Sequence, residues 1–136
     1  MNELYKIINT SLNTEYGYGT NDCNLVALKV LDLRAGTEWS HTAMYDSVKN
    51  GLKQLHELGF SSTSEIILQY ADEVTHPIDG DIWIAKNNPL VIGVIFSNRM
   101  LGVNEDHTKF KLIDIARLEE GKFYRIRKSS WAAAAD

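Results

Sequence analysis

The sequence predicts an α+β fold in which N-terminal helices pack on a C-terminal antiparallel sheet. Up to about residue 71 the apolar residues recur at helical spacing. From residue 81 onward they fall into short runs and alternations bounded by turn residues. Pro77 and the pair Asp79-Gly80 mark the change. Neither an internal repeat nor a long linker divides the chain, so residues 1–128 read as one domain.

The elements follow in order. Leu4, Ile7, Ile8 and Leu12 define a short amphipathic helix, and Gly17 and Gly19 then bring a turn. From about Asp22 to Arg34 the residues Leu25, Val26, Leu28, Val30, Leu31 and Leu33 leave few polar positions. That helix is expected to be buried on most sides and to stop at Gly36. Asp46 or Ser47 caps a third helix aligning Val48, Leu52 and Leu55, which Gly59 ends. Ser62-Thr63-Ser64-Glu65 has capping-box spacing ahead of a short fourth helix with Ile66, Ile67, Tyr70 and Ala71.

The strands are expected over Asp81–Ala85, Leu90–Phe96, Met100–Val103, Thr108–Asp114 and Phe123–Arg127. Turns fall at Asn87-Asn88-Pro89 and Asn98-Arg99. The nearly unbroken apolar run of Leu90–Phe96 places it centrally in the sheet. Arg117, Lys122, Arg125, Arg127 and Lys128 suit a last strand at an edge, protected by its charge. Residues 129–136 are small and Ala-rich around Trp131 and form a flexible or docking tail.

The 136 residues, 44% hydrophobic and 24% charged, suffice for a core. A net charge of −4 argues against general binding to nucleic acid or to an anionic membrane. The N-terminus carries Glu3, Lys6 and Asn9, unlike a signal peptide, and no apolar run approaches the roughly 20 residues of a membrane span. The chain is therefore expected to fold in a cytosol. One cysteine excludes an intramolecular disulfide and a cysteine-rich zinc site. His41, His56, His76 and His107 show no metal-ligand spacing, so neither metal nor cofactor is expected.

Chemistry centres on that cysteine. Cys23 ends the run Gly19-Thr20-Asn21-Asp22-Cys23 and opens the buried helix, where unpaired N–H groups and the helix dipole favour a thiolate. Read as a residue, it is a nucleophile or a small buried group packed under the first helix. Asp22 is better read as the helix cap than as a catalytic group. Gly17-x-Gly19 lacks the preceding strand of a phosphate loop. Trp83 reads as core, and Tyr16 and Tyr18 flank the cysteine loop.

Three features in order carry a resemblance. They are Gly19 to Cys23 opening a buried helix, Pro77 to Asp81 opening a strand, and Val91-Ile92-Gly93-Val94 within an apolar strand. Together they resemble the NlpC-type branch of papain-like cysteine peptidases, and more closely the small versions that bacteriophages encode beside their tail genes. The resemblance spans residues 16–127, and Tyr45–Gly59 and Phe123–Ile126 add to it. It implies a papain-like fold with Cys23 as nucleophile or its relic. In active members a histidine precedes the strand glycine in a His-x-Gly pattern, and aligning that glycine on Gly93 puts Val91 in its place. A valine cannot take the thiol's proton. The orienting polar residue would come from Asn104 to His107, which puts His107 in the orienter's place. In an active enzyme His107 would have to serve as base, with Asp106 or Asn104 as its orienter.

The resemblance therefore implies a non-catalytic structural or assembly component of a phage tail. Its partners would be other virion proteins, and its place the virion, reached after assembly in the host cytoplasm. The alternative is an active endopeptidase cutting peptidoglycan cross-links during genome delivery, and a domain that only binds peptidoglycan is a further one. The sequence also predicts that the Cys23 sulfur faces the strand beginning near Leu90, with Val91 nearest to it.

Overall fold

The computed structural model describes residues 3–17, 21–42, 48–88, 91–104, 106 and 108–128. The helices are α1 (Glu3–Leu12), α2 (Cys23–Ala35), α3 (Trp39–Thr42), α4 (Val48–Glu57) and α5 (Thr63–Leu68). The strands are β1 (Ala71–Val74), β2 (Ile82–Ala85), β3 (Ile92–Phe96), β4 (Arg99–Val103), β5 (Phe110–Asp114) and β6 (Gly121–Ile126). They form one six-stranded sheet in the order β1-β6-β2-β3-β4-β5, with every pairing antiparallel. The fold is α+β, helices before sheet.

Helix α2 is the centre of the first core. Asp22 caps it by accepting from the Leu25 N–H, and Gly36 closes it in the left-handed region at φ 74°, donating to the Asp32 carbonyl. Leu25, Val26, Ala27, Leu28, Val30 and Leu31 are all buried. These six of the seven residues from Leu25 to Leu31 point around most of the axis, so this helix needs neighbours on all but the Lys29 side. It packs on β3 and is flanked by α1, α3 and α5. Leu4 and Ile8, one turn apart, bring α1 onto it.

Several helix ends follow the expected chemistry. Gly59, at φ 88°, donates to the His56 carbonyl just past α4. Ser62 Oγ accepts from the Glu65 N–H, while Glu65 Oε2 accepts from Ser61 N–H rather than from the cap residue itself. The expected caps Asp46 and Ser47 lie outside the described residues, as do Leu90 and Trp131.

Three boundaries differ from the sequence reading. Ala71 belongs to β1 and not to the preceding helix, because its backbone pairs with Ile126 and Tyr70 C=O accepts from Arg127 N–H. The β3–β4 hairpin turns at Ser97-Asn98, both at positive φ (53° and 60°), one residue earlier than expected. That is the two-residue turn whose twist matches paired strands, and Asn tolerates it best. The last strand is not an edge. β6 lies between β1 and β2, and β1 and β5 are the edges. Its arginines are partnered: Arg125 grips Asp81 through two N–H groups, and Arg127 meets Asp72 at 2.8 Å.

The sheet's two faces are covered differently. Ile82, Ile84, Ile92 and Val94 point to the helices. Trp83, Ala85, Ile95 and Met100 make a second cluster on the opposite face, as alternation requires. No described helix covers this second face. Trp83 and Met100 lie flat over glycines: a Cβ at Gly93 would fall 2.4 Å from the Met100 sulfur, and one at Gly121 would fall 2.5 Å from Trp83 Nε1. The connection from β5 to β6 completes the cover with Ile115 and Leu118. It crosses β4, β3 and β2 by way of the 3-10 turn Ile115–Arg117, and Lys86 N–H holds its end by donating to the Glu120 carbonyl.

Gly121→Ala should lower stability by about 1–3 kcal/mol, because its Cβ would also meet the Ile84 carbonyl at 2.5 Å. Urea unfolding would register this as a lower midpoint, and an unchanged midpoint would contradict the flat-lying Trp83.

Candidate functional site

The loop ahead of α2 is held from three directions. Tyr16 N–H donates to the Thr108 carbonyl at 2.8 Å, which fastens it to the start of β5. Gly17 and Asn21 exchange backbone hydrogen bonds at 2.8 and 3.1 Å. The buried Asn21 amide donates to the carbonyls of Ser11, Thr14 and Glu15, tying the loop to the end of α1. Asp22 is fully buried, and its Oδ1 accepts from Leu25 N–H at 2.8 Å. Cys23 therefore stands on the first turn of α2, next to the anchored Asn21 and Asp22, as the sequence predicts.

Placement does not activate the thiol. Cys23 is half-buried and packs against the first apolar cluster. Burial, and after it the negative charge of Asp22, push its pKa from 9.0 up to about 12, against a smaller lowering by a backbone hydrogen bond. The expected help from the helix dipole loses, because desolvation penalises the anion more than the N–H groups favour it. At neutral pH the group is a neutral sulfhydryl. Its folded pKa lies above its unfolded one. The stability it contributes is thus full below about 9 and lost as pH rises toward about 12.

The expected neighbour is corrected. Val91 packs against the second cluster, whereas the β3 side chains sharing the Cys23 cluster are Ile92, Val94 and Phe96. The pleat explains this: Val91, Gly93 and Ile95 share a face, and that face is turned from α2. A glycine-based alignment fixes the spacing of a strand but not which face its residues take.

No histidine joins this cluster among the described residues. His41 and His56 are exposed on α3 and α4, and His76 is exposed ahead of β2. His107 lies outside the described residues, and so does Tyr18. Asn104, the other candidate orienter, holds its own turn: Oδ1 accepts from Thr108 N–H at 2.9 Å and Nδ2 donates to Thr108 Oγ1. Tyr16 packs edge-on to Phe110 with ring centroids 5.2 Å apart. Trp83 is 2% exposed and is core, as expected.

Sequence reading missed two polar anchors. Asp81, 2% exposed, accepts from Arg125 Nε and Nη2 and from Ile78 N–H. Asp32, on the apolar helix, accepts from Thr37, Trp39 and Ser40 and so fixes the α2–α3 connection. The signal was a carboxylate inside an apolar run for Asp32 and at the head of one for Asp81, where it must find donors. Among the described residues no group of His, Cys, Asp and Glu could hold a metal. No described helix is long and apolar enough to cross a membrane.

The chain belongs to the family described as a domain of unknown function (DUF6950), which matches residues 1–120. Comparison with curated proteins and with solved structures gave no match.

Asp22→Asn keeps a capping oxygen while removing the charge. Alkylation of Cys23 at a fixed mildly alkaline pH should then speed up several-fold, since one of the two causes raising the pKa is gone. An unchanged rate would show that the Asp22 charge does not reach the thiol.

Proposed function

We propose that this chain is a non-catalytic papain-like domain of the NlpC type, serving as a structural or assembly component of a bacteriophage tail. The observation that carries the reading is the state of Cys23. Its thiol opens a buried helix packed on an antiparallel sheet, yet burial and Asp22 hold it neutral. The cluster around it is apolar. A thiol nucleophile needs a base within hydrogen-bond reach and a stabilised anion, and the described surroundings oppose the second. The tail assignment rests on the sequence resemblance, with other virion proteins as partners and the virion as the place of action.

One contact favours the second reading, an active endopeptidase acting on peptidoglycan cross-links. Tyr16 N–H donates to Thr108 C=O, so the chain just ahead of β5 lies against the loop delivering Cys23, while His107 itself lies outside the described residues. In that reading His107 takes the thiol proton, the sulfur attacks the amide carbonyl, and the proton passes to the amine as the C–N bond breaks. Backbone N–H groups at the α2 start would stabilise the oxyanion.

Two measurements decide between them. Mass spectrometry of purified virions and tail-assembly intermediates should find the chain, and its absence from both would overturn the structural role. A cell-wall zymogram should show no clearing by the intact chain. Clearing that disappears in Cys23→Ala would establish the peptidase instead.

A further inference from the structure

An open groove of about 500 Å3 lies beside α2, with Ile7, Leu25 and Leu33 among its walls and Lys29 and His41 at its rim. Lys29 is the half-buried exception in the otherwise buried stretch Leu25–Leu31. It has no ion pair or hydrogen bond among the described residues. Asp32 also lines the groove but is committed elsewhere: Oδ1 accepts from Thr37 Oγ1 and Trp39 N–H, and Oδ2 from Ser40 N–H and Oγ. The groove thus has an aliphatic wall and, beside the hydrogen-bonded Asp32 carboxylate, a Lys29 ammonium that makes no direct ion pair among the described residues. Its complement is an aliphatic side chain next to a carboxylate.

The chain presents that complement on its own surface. Ile78 is the most exposed large hydrophobic among the described residues, at 56%, and Asp79 follows it. Their turn is held by Ile78 N–H to Asp81 Oδ2, Asp81 N–H to Ile78 C=O, Gly80 N–H to Ile95 C=O and Ser97 N–H to Asp79 Oδ1. Arg125 locks Asp81 in turn. An exposed apolar residue on so constrained a turn loses little entropy on docking. Asp79 Oδ2 remains for a cation.

We propose that the groove receives the Ile78-Asp79 turn of a second copy of this chain, Ile78 against Leu25, Ile7 and Leu33 and Asp79 on Lys29. The two surfaces are different, so the contact is heterologous and repeats head to tail into a ring or filament. It rests on the groove and the turn and not on the papain-like reading.

Sedimentation analysis of the full chain up to millimolar concentration tests it. Wild type should self-associate, and Ile78→Asp and Lys29→Glu should each weaken association at least tenfold while keeping the wild-type circular dichroism and melting temperature. A mixture of the two variants should regain association but stop at one-to-one pairs, because only one good turn and one good groove remain. In Asp79→Lys combined with Lys29→Glu the charges are exchanged, so association should return. A monomeric wild type, or association that neither single substitution changes, overturns the proposal.

Discussion

Helix α2 gives water only a narrow stripe. Six of the seven residues from Leu25 to Leu31 are buried, and Lys29, with Asp32 and Leu33, lines the open groove. Each neighbouring element supplies cover. Leu4 and Ile8 bring α1, Ile92 and Val94 bring the sheet, Ile66 and Ile67 bring α5, and Asp32 gathers the residues leading into α3. Burying so apolar a helix is a large favourable term. The same packing half-buries the first residue of the helix, Cys23, and that desolvation is the larger of the two causes that hold its thiol neutral.

The sheet solves a different problem, because no α-helix among the described residues covers its second face. Trp83 and Met100 lie over Gly121 and Gly93, so large side chains cover positions where any Cβ would collide. A short strap adds Ile115 and Leu118. Asp81 and Arg125 brace the other end of β2, where the carboxylate is buried and the guanidinium is 42% exposed. A half-solvated arginine keeps much of its hydration while supplying a two-pronged donor. The brace also stiffens the Ile78-Asp79 turn, which links the sheet's internal architecture to its exposed chemistry.

Much of the fold was legible because it rests on local rules. The spacing of Leu4 and Ile8, the cap at Asp22, the stop at Gly36 and the alternation through β5 all appear within a few residues of one another. What was not legible depended on partners distant in sequence. Ala71 reads as the end of a helix until Ile126 is available to pair with it. The arginines of β6 read as edge protection until Asp72 and Asp81 are placed beside them. For the site, the position of Cys23 at a helix start was readable, but its environment was not. Val91 shows why, since a one-residue parity change sends a side chain to the opposite face.

The central claim is that Cys23 is held as a neutral packing group and not poised as a nucleophile. Thiolate absorbance in the ultraviolet measures this directly, taken as the difference between wild type and Cys23→Ser across alkaline pH, with circular dichroism followed in parallel. The account predicts no thiolate at neutral pH and a rise centred near 12, or coinciding with loss of the folded signal if unfolding comes first. A thiolate that titrates at or below 9.0 in the folded protein would contradict it.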